Sequence, residues 1–360
     1  MKKQKINLAI IFGGRSAEHE VSIVSAQNIA KAIDRKKYSL TLVGIRQNGE
    51  WILFDEPGLF LLKKISVSKK SSIGKNVIPL TKNNNFYLKI GNIAKRIDAV
   101  FPVMHGPYGE DGTIQGLLKL YNAPFVGPSV LGSSISMDKD VSKRLLKEAG
   151  LPIGKYLVFK NEQNVSFEKI KKNLGLPFFI KPANLGSSVG ISKVKNRAEF
   201  AQALKNAFCF DNKVIIEEYI RGKEIECSVL GNENPIASIP GEIIPTHDFY
   251  SYEAKYLDKN GAKMAIPANI SETLINKFRS LAIKTFKTLC CDGMGRVDFF
   301  LTPQNEIYIN EINTIPGFTS ISMYPKLWEK SGISYPVLID ELIEFSLKRF
   351  EQEKKLKTIR

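Results

Sequence analysis

The sequence predicts an α/β unit over its first third and an α+β unit after it. Three observations carry that expectation. An apolar run, Ile6–Phe12, ends in Gly13-Gly14 and leads into a helical pattern. Two further buried-strand patterns, Leu40–Ile45 and Ala99–Met104, repeat the alternation of strand and helix. Beyond Ser136 the signals shorten into a mixture of small strands and helices. Strands alternating with helices suggest a mostly parallel sheet, here to about residue 125.

In the first unit Ser16 is placed to cap a helix with Glu18 and Glu20 in its first turn and Val21, Val24, Ile29 and Ile33 inside. In the second, Asp138–Ala149 reads as a helix closed by Gly150 and followed by Pro152. Strand patterns follow at Tyr156–Phe159, Phe178–Lys181, Val189–Lys193, Val214–Glu218 and Glu224–Leu230, with helices near Phe167–Asn173 and over Arg197–Ala207. A helix over Glu272–Leu289 precedes a hairpin at 295–313, and helices run to the end. The 241–265 stretch is too long and too aromatic for a plain linker, which suggests a lid over a substrate.

Composition excludes several classes. The chain has 360 residues, enough for two or three domains, with 43% hydrophobic and 24% charged residues, as in soluble globular proteins. No apolar run approaches the ~18 residues of a membrane span. The basic start, Met1-Lys2-Lys3, is followed by too short an apolar run and no small-residue cleavage pattern for a secretion signal. Cys209, Cys227, Cys290 and Cys291 form no C-x-x-C pair, so free thiols in a reducing cytoplasm are expected. The net charge of +16 raises the question of nucleic acid. Nine of the basic residues fall between Lys63 and Arg96, where there is no Asp or Glu but there are the turn signals Ser71-Ser72-Ile73-Gly74 and Asn83-Asn84-Asn85. That is a solvated hairpin and loop, not a recognition element, and no nucleic-acid or membrane partner is expected.

Four segments carry chemistry. Two strand patterns, Gly295–Leu301 and Glu306–Asn313, flank a Pro/Asn turn. With Leu301 opposite Glu306, Arg296 faces Glu311 and Asp298 faces Ile309. One face then holds Arg296, Asp298, Phe300, Ile307, Ile309, Glu311 and Asn313, and the other holds Val297, Phe299, Leu301, Tyr308 and Ile312. Two acids and an amide at one end of a strand pair are hard oxygen ligands suited to magnesium. Phe300 and Ile309 beside them suit a flat ring. Taken alone, the hairpin equally describes a surface ion pair.

A second segment, Phe178-Phe179-Ile180-Lys181 followed by Pro182–Gly190, ends a strand in lysine and continues as a small-residue loop. Its N–H groups and hydroxyls can wrap a phosphate, although it lacks the G-x-x-x-x-G-K-[ST] pattern and also fits a plain turn. A third, Val214–Glu224, sets acids at a strand end and seven residues later, where Glu217 and Glu224 can accept hydrogen bonds from an adenine amino group and a ribose; a charged turn fits as well. The fourth, Met104–Gly112, is a glycine-dense loop after a strand, the place where ligands collect in open α/β sheets. A lone histidine such as His105 is more often structural than catalytic.

In this order and spacing the segments resemble the D-alanine–D-alanine ligases of the ATP-grasp superfamily across nearly the whole chain. The resemblance rests on Gly13-Gly14-Arg15-Ser16-Ala17-Glu18, His105-Gly106, Ser136-Met137-Asp138-Lys139, Lys181-Pro182 with Gly186-Ser187-Ser188-Val189-Gly190, Glu253-Ala254-Lys255-Tyr256, and Glu311–Thr319. It implies an ATP-grasp fold, α/β and α+β, with an N-terminal Rossmann-like (pre-ATP-grasp) domain. The implied division is 1–130, 131–230 and 231–360, with ATP held between the second and third parts.

The resemblance also implies roles. Lys139 and Lys181 would contact phosphates, Glu217 the adenine and Glu224 the ribose, with Phe300 at the nucleotide. Asp298, Glu311 and Asn313 would hold two Mg²⁺ (or Mn²⁺). Glu18 would grip the ammonium of the first D-alanine, joined by Ser187 and Tyr256 in a relay closing the lid, and His105 would line the substrate site. Arg296 and the Gly317 N–H would stabilise an oxyanion, and Ser322 and Lys255 would hold the second D-alanine's carboxylate. Tyr256, with a free pKa of about 10, is expected to orient rather than to act as base. Ester-forming relatives lack that tyrosine, so an amide product is implied. Leu185 stands where some members carry an acid, so no acid contacts the phosphates there.

The implied activity is ATP-dependent joining of two D-alanines through an acyl phosphate, in the cytoplasm, for peptidoglycan precursors. A homodimer is consistent with the family. Other ATP-grasp ligases, a nucleotide-binding protein with dead chemistry, or an RNA-binding protein are the rival readings.

Overall fold

The computed structural model describes residues 4–61, 74–160, 165–245 and 262–357. Three sheets are laid out in chain order. The first joins β1 (Ile6–Gly13), β2 (Tyr38–Ile45), β3 (Trp51–Phe54), β4 (Lys75–Lys82), β5 (Asn85–Ile90), β6 (Ile93–Arg96) and β7 (Ala99–Val103) in the order β6-β5-β4-β3-β2-β1-β7. Only β2, β1 and β7 run parallel; β3 to β6 extend the sheet as an antiparallel meander. The mostly parallel sheet expected from the alternating pattern is corrected in that half. The turns between β4, β5 and β6 hold two residues each, too few for the crossover a parallel pair needs. Asn83 and Asn84 have φ of 50° and 57°, the two positive values of a hairpin turn.

Alternation along β1 sorts its two faces. Leu8, Ile10 and Phe12 pack with Ile23, Ala26 and Ile29 of helix His19–Ala32 and with Leu338, Ile339 and Leu342 of the C-terminal helix Tyr335–Glu353. Ala9 and Ile11 pack with Ile114 and Leu118 of helix Thr113–Leu120. The end of the chain thus completes the core of its beginning, and Arg349 donates to the carbonyls of Gly127 (2.6 Å) and Phe125 (2.8 Å). Ser16 is not the cap of the first helix. Glu18 occupies the cap position, and Ser16 Oγ accepts the Glu18 N–H at 3.1 Å.

The second sheet is fully antiparallel, β10-β9-β11-β8, from β8 (Tyr156–Phe159), β9 (Phe178–Pro182), β10 (Ser192–Val194) and β11 (Val214–Glu218). β10 is shorter than the Val189–Lys193 pattern, because Ser187, Ser188 and Gly190 take positive φ and hold the chain in a turn. Phe178, Ile180, Val214 and Ile216 pack on helices Phe167–Leu174 and Arg197–Phe208. Period two then turns Phe179, Lys181 and Glu217 to the opposite face.

The third sheet runs β15-β14-β12-β16-β17, with β13 on β12: β12 (Lys223–Gly231), β13 (Ile236–Ala237), β14 (Gly241–Pro245), β15 (Ala262–Ala265), β16 (Gly293–Leu301) and β17 (Ile307–Asn313). Ile225, Cys227, Val229, Val297 and Phe299 bury against Phe278, Ala282 and Phe286 of helix Glu272–Thr288. The other face carries Glu224, Glu226, Arg296, Asp298 and Phe300, with Glu224 opposite Phe300 and Glu226 opposite Asp298. The polar faces of sheets two and three enclose the cleft.

Candidate active site

The hairpin register differs from the expected one, and the difference explains which residues reach the cleft. Thr302 donates its N–H to Glu306 O at 2.9 Å and Asn305 has φ of 62°, so the turn closes on Thr302 and Glu306 rather than on Leu301 and Glu306. Leu301, Phe300 and Phe299 pair with Ile307, Tyr308 and Ile309. A bulge follows: Asp298 pairs with Glu311 and Arg296 with Asn313, leaving Asn310 as the extra residue. Ile307 and Ile309 are therefore core residues, and Ile309 is not a floor for a ring. Beyond the bulge the parity of the strand flips back, so Glu311 and Asn313 do share a face with Asp298 and Arg296. The bulge is anchored from outside: Ile309 donates to Pro152 O (2.8 Å) and Lys143 Nζ to Asn310 O (3.2 Å).

Two cavities meet here. The larger, about 360 Å³, is lined by Lys139, Lys181, Glu217, Glu224, Phe300 and Glu311 among the expected residues, with Phe179, Ile191, Ile220 and Tyr219 as its apolar walls. The smaller, about 100 Å³, is lined by Glu18, His105, Ser187, Arg296, Glu311, Asn313, Gly317 and Ser322. Glu311 borders both. Asp298 borders neither, being held behind Arg296. Lys255 and Tyr256, with the rest of the expected lid between Pro245 and Ala262, lie outside the described residues.

In the larger cavity the lysines are ion-paired. Glu217 takes Lys181 at 2.5 Å and Lys143 at 2.9 Å, and Glu311 takes Lys139 at 3.3 Å. Burial alone would raise the Glu217 carboxyl, but Lys143 and Lys181 override it and hold it at about 2. Burial likewise disfavours the Lys181 ammonium, yet Glu217, Glu311 and Glu224 raise it above its ordinary value. Lys139 Nζ also donates to Leu185 O at 2.5 Å, tying helix Lys139–Glu148 to the small-residue loop. Asp138 caps that helix, accepting from Asp140 N (3.1 Å) and Val141 N (3.0 Å).

The smaller cavity closes loops over the strand residues Arg296, Glu311 and Asn313. Ser187 Oγ donates to Glu18 Oε1, linking the loop after β9 to the turn after β1. Ser187 and Ser188 sit at φ of 49° and 61°, a left-handed conformation that costs a side-chain-bearing residue about 1–2 kcal/mol. Gly106 is required where it stands: its φ is +73° and an added Cβ would lie 2.7 Å from Glu18 Oε2.

His105 is committed at both ring nitrogens. Nδ1 lies 2.9 Å from Ile315 O, an acceptor, so Nδ1 carries the hydrogen and Nε2 accepts from Ser25 Oγ at 3.2 Å. Ser25 Oγ in turn accepts the Phe318 N–H (3.2 Å). Burial lowers the imidazole pKa, consistent with a neutral ring. Glu110 works in parallel, accepting from Gly106 N and Ile315 N at 2.9 Å each. Burial first, and Glu18 second, push its carboxyl up to about 8. Together His105 and Glu110 clasp the loop that bears Gly317. A Cβ at Gly317 would meet Ser322 Oγ at 2.6 Å, and Ser322 Oγ accepts from Thr319 N at 3.0 Å.

Arg296 forks onto Asp298, Nε to Oδ1 at 2.7 Å and Nη2 to Oδ2 at 2.8 Å; Asn313 Nδ2 adds a third bond to Oδ2 at 2.9 Å. Asp298, Glu311 and Asn313 form a hard-oxygen set on one face, which fits magnesium or manganese. Among the described residues no cluster of three His, Cys, Asp or Glu side chains could hold a metal alone.

Three site residues escaped the sequence reading. Lys143 lies four positions after Lys139 on one helix face, a visible spacing. Glu226 follows Glu224 by two in an otherwise apolar strand, which places both on one face. Glu110 had no comparable signal, because its role depends on Ile315, 205 positions away.

Known proteins fit this geometry. A family model described as the D-ala D-ala ligase C-terminus matches residues 145–344, and one described as the D-ala D-ala ligase N-terminus matches 7–128. The chain is 51% identical to a D-alanine–D-alanine ligase of Oceanobacillus iheyensis, covering 100% of this chain and 99% of the relative. It is 48% identical to D-alanine–D-alanine ligase A of Escherichia coli K12, covering 99% of each. Among solved structures, the D-alanine–D-alanine ligase from Coxiella burnetii superposes with a TM-score of 0.88 at 38% identity, covering 98% of this chain and 97% of that one. The VanG D-Ala:D-Ser ligase from Enterococcus faecalis gives 0.84 at 36%, covering 95% and 100%. The sheets, the two joined cavities and these relatives agree: the chain is an ATP-grasp enzyme and belongs to the D-alanine–D-alanine ligase family.

Proposed function

We propose that this enzyme joins two D-alanine molecules, converting ATP to ADP and phosphate through an acyl phosphate. The observation that carries the proposal is that Glu311 borders both cavities. A phosphoryl donor in the larger cavity and a carboxylate acceptor in the smaller one would meet at that side chain.

In this reading the nucleotide ring lies between Phe179, Ile191 and Phe300, with Glu224 at the ribose and Lys139 and Lys181 at the phosphates. Glu217 keeps its place beside the ring, and its first task is to hold Lys181 in position. Asp298, Glu311 and Asn313 are the metal ligands; two divalent cations, when bound, would offset phosphate charge. Glu18 receives the ammonium of the first D-alanine. A carboxylate oxygen of the first D-alanine attacks the γ-phosphorus and ADP leaves. The amine of the second D-alanine, placed by Ser322 and Lys255, attacks the resulting carbonyl. Arg296 and the Gly317 N–H stabilise the tetrahedral oxyanion, which collapses and expels phosphate as the amine loses a proton. His105 acts by positioning the Gly317 loop. Ser187 and Tyr256 complete the closure over Glu18, excluding water that would hydrolyse the acyl phosphate.

The three-part division at 130 and 230, a cytoplasmic setting and a homodimer belong to the same proposal. No helix among the described residues is long and apolar enough to cross a membrane.

The test is one assay with ATP, Mg²⁺ and D-alanine, alone and with D-serine or D-lactate in competition at neutral pH. One phosphate per D-alanyl-D-alanine is expected. Absence of phosphate release, or a product made mainly with D-serine or D-lactate, would overturn it.

A further inference from the structure

Arg296 lies between two carboxylates. Its Nε donates to Asp298 Oδ1 at 2.7 Å, while Glu226 Oε2, from the neighbouring strand β12, stands 2.9 Å from the same Nε. All three side chains are largely buried, at 16%, 16% and 12% exposure for Arg296, Asp298 and Glu226. Nε carries a single hydrogen, and Asp298 takes it here. The register sets this up: Glu226 is directly opposite Asp298, and the small Ser228 is opposite Arg296, leaving room for the guanidinium to lean toward both acids.

The fork on Asp298 conflicts with the metal role of that residue. Both carboxylate oxygens are already engaged, Oδ1 by Nε and Oδ2 by Nη2 and Asn313 Nδ2. One lone pair of Oδ1 stays open to a cation, but a divalent cation there draws on the same negative charge as the guanidinium and repels it, loosening the Nε–Oδ1 bond. A buried arginine deprived of its carboxylate is costly unless another anion is in reach.

We propose that Glu226 is that second partner, a positioning residue that receives the Arg296 Nε–H when Asp298 turns to the metal. The inference rests on the reading of Asp298 as a metal ligand. In the exchange one N–H···O bond to Asp298 breaks and one to Glu226 forms; no proton changes owner. Arg296 stays in the smaller cavity, facing the reacting carbonyl, instead of swinging out when its first partner is withdrawn. The same exchange lowers the cost of loading the metal.

The test uses the whole enzyme with Mn²⁺ and ADP, reading bound Mn²⁺ by electron paramagnetic resonance, for the wild type, Glu226→Gln, Glu226→Asp and Asp298→Asn. Both Glu226 variants are expected to weaken Mn²⁺ binding about tenfold, the lower end for outer partners of metal ligands, with ADP affinity in the absence of metal unchanged. Their kcat is expected to fall while KM for ATP stays within about twofold, a split that a general loosening of the fold would not produce. Glu226→Asp keeps the charge and loses the reach. Wild-type Mn²⁺ binding by Glu226→Asp alongside a loss in Glu226→Gln would mean that charge alone matters, and would overturn the proposal. Wild-type binding by both would overturn it as well. Wild-type binding by Asp298→Asn would instead sink the metal-ligand reading on which the proposal stands.

Discussion

The two cavities are built by different means. The larger one is a product of sheet periodicity: Phe179, Lys181 and Glu217 project from neighbouring strands because the pleat alternates, and Glu217 lies opposite Phe179 in register. The smaller one sets loops against a strand floor: Glu226, Arg296, Glu311 and Asn313 project from β12, β16 and β17. Its other walls come from the turn after β1, the loop after β7, the loop after β9 and the segment after β17, joined by Ser187–Glu18, His105–Ile315 and Glu110–Ile315 contacts. A site made by strands inherits the rigidity of backbone ladders. A site made by loops has to be clasped, here by buried polar groups whose loss leaves a donor without an acceptor.

That contrast can be broken first at the larger cavity. Glu217→Gln leaves Lys143 and Lys181 buried without their anion, so a loss of about 3–5 kcal/mol is expected in urea unfolding at neutral pH. The wild type carries the matching pH signature. Because the folded carboxyl titrates at about 2, below its ordinary value, its contribution is complete above the ordinary carboxylate range and is lost as pH falls toward 2. The variant should lack that acid-range slope; an unchanged slope would mean that the lysine pairs do not govern it.

At the smaller cavity, Arg296→Ala is expected to lower kcat about 10²–10³-fold, the size of a lost oxyanion donor. KM for ATP should move far less, since Arg296 borders only the smaller cavity. Equal losses in both constants would recast Arg296 as a part of the nucleotide site.

The smallest effect is expected at the clasp. Glu110→Gln replaces one acceptor by an amide N–H₂ facing the N–H of Gly106 or Ile315, at a cost of about 1–3 kcal/mol. Here the pH dependence has the opposite sign. A carboxyl raised to about 8 takes up a proton on folding, so wild-type stability declines as pH climbs from the ordinary carboxylate range through about 8. Chemical denaturation across that range should show the decline in the wild type and its absence in the variant.

The legibility of the chain follows the same division. Strands Tyr156–Phe159 and Val214–Glu218 stand where the apolar pattern placed them, because short runs of β-branched and aromatic residues carry strand propensity of their own. The hairpin was readable in its acids but not in its apolar partners. A turn closing one residue later and a bulge at Asn310 each shift parity; the two shifts cancel for Glu311 and Asn313 and do not cancel for Ile309. The parallel reading holds for β1, β2 and β7 and fails beyond them, because the largely exposed β4 to β6 read as a solvated hairpin with no local sign that they extend the same sheet. His105 was visible as a residue but not as a clasp, since its partners Ile315 and Ser25 are far away in sequence.

By itself the sequence determined most element types, the acids and lysines of the cleft other than Lys143, Glu110 and Glu226, and the family that their order resembles, since each depends on neighbours a few positions apart. Tertiary structure alone decided that Glu311 joins two cavities, that Glu110 and His105 hold the Gly317 loop, and that Arg296 stands between Asp298 and Glu226. Those relations are distances between segments brought together by folding, and desolvation of the charges within them sets their strength. No local pattern encodes either quantity.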